Sequence, residues 1–185
     1  RSSDLSYFLQ LLDIPGVSFY SLQKQLSAGE RTLLTQIPVI DLSDNLNDLA
    51  DTAAVISQLD LVICVDSAVA HLAGALGKPI WILLCFMPDW RWMLEREDSP
   101  WYPTARLFRQ QTAGDWEEVF DRVKIALKHL ISTRCQEEPS NVEPEAAPRF
   151  SLSPAQVQFH LANALQKQGK KADAAARYEN GYRAR

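Results

Sequence analysis

The sequence is poor in cysteine: it has three, Cys64, Cys85 and Cys135, and their separations match neither a metal-ligand spacing nor a paired disulfide framework. Cys64 and Cys85 fall in apolar runs, where a free thiol behaves as a small hydrophobic side chain. We therefore expect inert thiols in a reducing cytoplasm, and no metal site. No apolar run is long enough to cross a bilayer, and no signal peptide opens the chain. Because the first residue is Arg1 rather than Met, we also expect a fragment of a longer protein.

A surplus of positive charge is also missing, since 19 Lys and Arg stand against 23 Asp and Glu for a formal net charge of −4. Nucleic acids and anionic membranes are bound by clustered positive charge, so neither is an expected partner. With 46% hydrophobic and 23% charged residues, the composition is that of an ordinary soluble globular protein. The length allows one domain plus an appendage.

Short apolar runs alternate with helical stretches over residues 1–135. Continuous apolar strands separated by helices are typical of a doubly wound domain, so we predict an α/β fold with a Rossmann-like parallel sheet. The predicted strands are Val17–Leu22, Pro38–Leu42, Leu61–Val65 and Ile80–Leu84, with an edge strand at Leu107–Arg109; the predicted helices are Asp48–Leu59, Ser67–Leu76 and one that begins at Gly114.

The composition changes at residues 136–154, which hold four of the ten prolines and several glutamates. Such a segment is typical of an extended linker. Residues 155–185 then show two helical spacings separated by Gly169, and this helical hairpin resembles a tetratricopeptide repeat, although Gln158 stands where that family usually has a bulky apolar residue. One repeat cannot bury its apolar face alone, so we expect it to pack on the α/β domain or to continue into further repeats.

The densest chemical signal is the segment DSAVAHLAGALGKP, which begins at Asp66 directly after a predicted buried strand. In open α/β sheets ligands bind beyond the carboxyl ends of the strands, and a helix that starts there points free N–H groups and its positive dipole end at them. This suits a diphosphate. Ser67 can cap the helix or donate to phosphate, the small Ala68 lets a ligand approach the backbone, and a cationic His71 can complement phosphate charge.

Each of these residues has an ordinary structural interpretation as well. Asp or Ser at a helix start is most commonly an N-cap, and a lone His is more often packed or at the surface than bound to a ligand. The joint pattern of Asp66, Ser67, Ala68 and His71 after one buried strand is what favours a phosphate site.

The stretch from Asp48 to Trp116 resembles the C-terminal lobe of family 9 glycosyltransferases, the heptosyltransferase-like group with a GT-B fold, and in particular bacterial proteins that join this lobe to tetratricopeptide repeats. The strings LDLVICVDSAVAHLAGALGKPIWILL, PDWRW, SPWYP and RLFRQ carry the resemblance. In that family a D-[ST]-x-x-x-H segment lies against the nucleotide diphosphate, which implies this role for Asp66, Ser67 and His71. The resemblance implies a UDP-, ADP- or GDP-linked sugar as donor substrate, with no cofactor and no metal. Many members carry Gly at the position of Ala68, and this difference leaves the preferred sugar donor undetermined.

A second polar cluster, Gln23 and Lys24, follows the first predicted strand and so belongs to the same edge of the sheet. A lysine there can neutralise diphosphate charge. The related O-linked N-acetylglucosamine transferases use a Gln and a nearby Lys after the corresponding strand, and that likeness implies a binding role for this pair. A solvated pair of loop residues is an equally good interpretation. Asp41 and Asp44, after the second strand, are better explained by a polar turn.

The segment Pro88–Trp92 leaves the fourth predicted strand at the carboxyl edge. Aromatic faces stack on sugar rings and an arginine pairs with phosphate, so Trp90 and Arg91 are candidates for a loop over the donor sugar. The favoured alternative is an aromatic cluster that packs this loop down or faces a missing N-terminal lobe.

The resemblance implies a two-lobe reaction in which an N-terminal lobe supplies the acceptor and usually the general base. The chain has only about five predicted strands and no acidic pair or Ser-His-Asp arrangement, so the catalytic residues stay unassigned. We expect a nucleotide-sugar-binding fragment of a glycosyltransferase that is inactive without the acceptor lobe. The alternatives are a non-catalytic interaction scaffold, with a protein partner on the helical hairpin, and another nucleotide-sugar enzyme on the same fold.

Overall fold

The computed structural model describes residues 5–137, with side chains described as far as Arg134. Most of the predicted linker and the whole predicted hairpin lie outside these residues. Short 3-10 helices span Leu5–Leu11, Ser43–Asn45 and Trp90–Trp92. The strands are β1 (Phe19–Ser21), β2 (Val39–Asp41), β3 (Val62–Val65), β4 (Ile80–Leu84) and β5 (Ala105–Arg109), and the helices are α1 (Ala28–Thr35), α2 (Leu49–Ile56), α3 (Ala68–Ala75) and α4 (Trp116–Glu137).

The five strands of the described residues pair in parallel, which confirms the predicted α/β class, but they form two sheets. β1 pairs with β2, and a separate three-stranded sheet has the order β3-β4-β5. In that sheet Val65 lies opposite Leu83, and Leu84 lies opposite Arg109. Because parallel neighbours point the same way, the segments that follow β3 and β4 leave the sheet at the same edge.

The central strand β4 divides the core into two clusters. Its alternate residues Ile80, Ile82 and Leu84 pack with α2 and α3, whereas Trp81 and Leu83 pack with α4 and the first 3-10 helix. The sheet therefore has helices on both faces, as a doubly wound domain requires. β3 was predicted to be a buried strand, but only Val62 is buried and its other three residues are half-buried, because β3 is an edge strand of its sheet.

Local signals set the ends of the helices. Asp48 caps α2 by accepting from the N–H groups of Ala50 and Asp51, and Gly77, with φ of 68°, ends α3 in the left-handed conformation that favours glycine. The helix α1 was not predicted, because its eight residues carry little apolar periodicity. Its sequence signal was the capping box of Ser27 and Glu30, in which each side chain bonds the backbone N–H of the other residue.

Candidate functional site

A cavity of about 120 Å³ lies at the carboxyl edge of the three-stranded sheet. Asp66 lines one side, and the end of β4 with the segment after it lines the other, including Cys85 and Asp89. Two carboxylates and several apolar side chains thus share one small space. Carboxylates accept hydrogen bonds from hydroxyl groups, so this lining suits a polyhydroxylated ligand better than a bare anion.

The start of α3 lies directly beside this cavity and is open. Ser67 occupies the N-cap position with extended backbone, but its side chain makes no capping hydrogen bond, and Ala68 is exposed. The first N–H groups of a helix have no partner within the helix, so a ligand at this point can accept from them. The N-cap interpretation of the Ser67 hydroxyl is therefore wrong, whereas the expected free helix start is present.

The hydroxyl of Ser67 lies instead beside the thiol of Cys64. Burial raises the pKa of Cys64 to about 12, the hydrogen bond with Ser67 opposes this shift, and the charge of Asp66 adds to it. The thiol therefore stays protonated at neutral pH, which fits the expectation of an inert core cysteine.

The imidazole of His71 is held between two aromatic side chains. Its ring stacks on Trp92 with centroids 5.3 Å apart, and its Nδ1 atom lies 2.9 Å from the hydroxyl of Tyr102. Its Nε2 atom lies 3.8 Å from a carboxylate oxygen of Asp66. The structure thus joins two residues of the predicted motif, and it adds two aromatic partners that the sequence did not assign to them.

The predicted pair Gln23 and Lys24 follows β1, at the end of the two-stranded sheet, and both side chains form hydrogen bonds there. Gln23 donates to Glu30 Oε1 at 3.1 Å, and Lys24 Nζ donates to the Ser43 carbonyl at 3.1 Å, which ties the end of β1 to the segment after β2. Neither residue lines the cavity beside Asp66. Their role in diphosphate binding stays a prediction.

The polar residues after β2 form local turns, as the preferred interpretation held. Asp41 accepts from both the backbone N–H and the hydroxyl of Ser43. The buried carboxylate of Asp51 accepts from the backbone and side chain of Asn47, just before α2.

The two candidates for the donor-sugar loop are both exposed. Trp90 is 71% exposed and packs edge-on against Trp101, and the Arg91 guanidinium lies over the Trp90 ring while pairing with Asp89 at 2.7 Å. Packing accounts for Trp92, which is 1% exposed, but not for Trp90. An aromatic face beside a paired arginine is therefore available at this edge.

Two residues at the end of β5 hold the site together and were not assigned a role from the sequence. Arg109 donates to the carbonyl groups of Trp92, Met93 and Leu94. The buried Gln110 accepts from the backbone N–H groups of two segments, at Phe86 and Gly114. Their signal was the polar pair that follows the apolar Leu107 and Phe108 in the string RLFRQ.

Residues 5–137 contain neither a metal-ligand cluster nor a membrane-spanning helix. No three His, Cys, Asp or Glu side chains of this part are grouped so that they could hold a metal ion. None of its helices has the length and apolar character needed to cross a membrane.

Parallel sheets, helices on both faces and a cavity beside the start of the helix that follows β3 are the features of a Rossmann-like α/β domain. Residues 39–83, from β2 through α3 to β4, match the model of Glycosyltransferase family 9 (heptosyltransferase). The chain therefore contains a family 9 glycosyltransferase-like region.

One curated relative is Protein FlbA of Caulobacter vibrioides (strain ATCC 19089 / CIP 103742 / CB 15), which is 36% identical over 128 residues. This similarity covers 66% of the chain but 21% of the relative, so the chain spans about a fifth of the length of the curated protein it matches. No solved structure matches the chain.

Proposed function

We propose that the region binds the diphosphate of a nucleotide-sugar donor and serves as the donor-binding part of a glycosyltransferase. The observation that carries the proposal is the start of α3, where the side chain of Ser67 makes no capping hydrogen bond to the backbone N–H groups beside the cavity. A diphosphate carries the negative charge that this end of the helix dipole favours. The match of residues 39–83 to family 9 glycosyltransferases supports the same assignment.

In this proposal, two neighbouring groups of residues at the carboxyl edge of the sheet bind different parts of the nucleotide sugar. The diphosphate lies against the first turn of α3 and receives a hydrogen bond from His71. The sugar lies toward the carboxylates of Asp66 and Asp89, which line the cavity and accept from hydroxyl groups. The exposed ring of Trp90 offers an apolar face for the sugar ring.

The acceptor site and the catalytic base come from a part of the protein outside the described residues. We therefore expect the 185-residue chain to bind nucleotides without transferring sugar. A general base for transfer has to lie within hydrogen-bond reach of the acceptor hydroxyl, and the described residues offer no second lobe to hold an acceptor.

Calorimetric titration of the chain with UDP, ADP and GDP tests the proposal. We expect binding of at least one nucleotide at millimolar concentration or below. His71→Ala should weaken it about 10-fold, the effect of losing one charge-assisted hydrogen bond. His129→Ala is the matched control, because His129 is an exposed histidine on α4 and should leave the affinity unchanged. The absence of heat with all three nucleotides at millimolar concentration would contradict the proposal.

A second candidate function is a protein-interaction scaffold that does not bind nucleotides. It is favoured by the exposed apolar side chains between β4 and β5, where Met87 is 82% and Leu94 68% exposed. Alanine substitutions at Asp66 and His71 discriminate the two functions. A scaffold predicts that neither substitution changes nucleotide affinity or the activity of the longer protein, whereas a donor site predicts a loss of both.

A further inference from the structure

Tyr102 contacts α3 at two points one helical turn apart. Its hydroxyl lies 2.9 Å from Nδ1 of His71, and its ring lies flat over Gly74, where a Cβ atom would be 2.4 Å from the ring. Tyr102 is half-buried in the segment before β5, and it has no role in the proposed binding of the nucleotide sugar. The ring contact fixes the position of the hydroxyl, so Tyr102 is held against one particular atom of the histidine.

The imidazole cannot turn away from this hydroxyl without losing its other contacts. Trp92 stacks on one face of the ring with an interplanar angle of 20° and is itself fully buried. The edge of Tyr102 lies against the same imidazole with centroids 5.8 Å apart. Both aromatic residues therefore orient the ring so that its second nitrogen, Nε2, faces Asp66.

The two nitrogens of His71 face different hydrogen-bonding groups: Nδ1 faces the hydroxyl of Tyr102, and Nε2 faces the carboxylate of Asp66. A neutral imidazole carries one N–H, and an ionised carboxylate is an acceptor only, whereas a tyrosine hydroxyl both donates and accepts. The arrangement that best fits all three groups has the proton on Nε2, which then faces the Asp66 carboxylate at 3.8 Å, too far for a hydrogen bond, and has the Tyr102 hydroxyl donating to Nδ1. The opposite tautomer would turn a nitrogen lone pair toward the carboxylate, 3.8 Å away.

We propose that Tyr102 is a positioning residue that fixes His71 in the Nε2–H tautomer and so presents an N–H donor beside the open start of α3. This inference rests on the proposed function in one respect, namely that the Nε2–H group of His71 donates a hydrogen bond to a phosphate oxygen. A neutral Nε2–H donates to an anion without first taking up a proton. Tyr102 thus acts through His71 and does not itself touch the ligand.

The first test measures the tautomer directly, without any ligand. In the full chain labelled with ¹⁵N-histidine, long-range ¹H–¹⁵N spectra at about pH 9, where histidine side chains are neutral, distinguish the two tautomers. His71→Gln identifies the His71 signals among the three histidines. We expect the Nε2–H form in the wild type and a mixture of both forms in Tyr102→Phe, which keeps the ring on Gly74 but removes the hydroxyl.

The matched control is Tyr7→Phe. Tyr7 stacks on Phe120 in the cluster on the other face of the sheet, so its loss should leave the His71 spectrum unchanged. A wild-type His71 in the Nδ1–H form would overturn the inference, and so would a Tyr102→Phe variant whose His71 spectrum is identical to that of the wild type. Both outcomes are readable even if the nucleotide proposal fails.

The second test measures the consequence for binding. We expect Tyr102→Phe to weaken the affinity for the bound nucleotide among UDP, ADP and GDP by roughly 3- to 10-fold. In the His71→Ala background the same substitution should have no further effect, because the two residues act as one unit. Equal affinities of the wild type and Tyr102→Phe would overturn the positioning role. Absence of binding by the wild type would instead contradict the proposed function, and the tautomer spectra would still decide the role of Tyr102.

Discussion

At the scale of single residues, Gly74 decides how closely Tyr102 approaches α3. An added Cβ would meet Cγ and both Cδ atoms of the Tyr102 ring at 2.4–2.8 Å, a separation that requires the ring to move. The ring is flanked by Trp92, with centroids 6.3 Å apart, and that indole is fully buried. The space for a larger residue at position 74 therefore has to come from the aromatic cluster around His71.

We predict that Gly74→Ala destabilises the chain by about 1–3 kcal/mol through overpacking, although alanine is the better helix former by about 1 kcal/mol. Urea unfolding followed by circular dichroism measures the change. The matched control is Gly29→Ala in α1, where nothing lies within 4 Å of the added methyl group, and there we expect a stabilisation of up to about 1 kcal/mol. Equal effects at the two glycines would show that the Tyr102 contact is unimportant.

At the scale of elements, the connection between β4 and β5 depends on the side chain of Arg109. This residue ends β5 and donates to carbonyl groups on Trp92, Met93 and Leu94, around the turn where Met93 has φ of 49°. A non-glycine residue in that conformation is held by its surroundings. The planar five-donor guanidinium reaches several carbonyls at once, which a lysine cannot do.

We therefore predict that Arg109→Lys loosens this connection at a cost of about 1–3 kcal/mol, because three carbonyl groups share one charged donor group that a lysine cannot replace at all three. The burial of Trp92 should fall, which its fluorescence reports, and trypsin should cut the connection faster at Arg91 or Arg96. Arg106→Lys on the same strand is the control. The Arg106 side chain is about half exposed, pairs with Glu97 at 3.8 Å and lies over the Phe108 ring, and a lysine cation can make both of these contacts. Identical behaviour of the two variants would contradict the role assigned to Arg109.

At the scale of the whole molecule, the proposed nucleotide site predicts that a bound nucleotide stabilises the folded chain. A nucleotide present at ten times its Kd stabilises the folded chain by about 1.4 kcal/mol. We expect this to raise the Tm by about 3–6 °C in a thermal-shift assay. Inorganic phosphate at equal ionic strength controls for nonspecific screening, and His71→Ala should reduce the shift. A shift of the same size with phosphate alone would argue against a nucleotide site.

The order of the strands and most of the helices could be read from the sequence, although α1 was missed. Apolar runs and helical spacings are local properties, so they identified β4 at its observed bounds and placed α3 after a strand ending next to Asp66. The carboxyl-edge rule then needed only the order of elements. The chain also revealed its family 9 likeness through one continuous string, which requires no knowledge of distant contacts.

Which side chains meet depends on the packing of distant segments and could not be read from the sequence. His71 and Tyr102 are 31 residues apart in the chain, and of the two tryptophans in the segment Trp90–Trp92 one is buried and the other exposed. Nor did periodicity indicate that Gln23, in the loop after β1, bonds Glu30 in α1, or that β1 and β2 form a separate two-stranded sheet. The reason is physical: local patterns fix which face of an element is apolar, whereas the partner of a polar atom depends on how distant segments pack together.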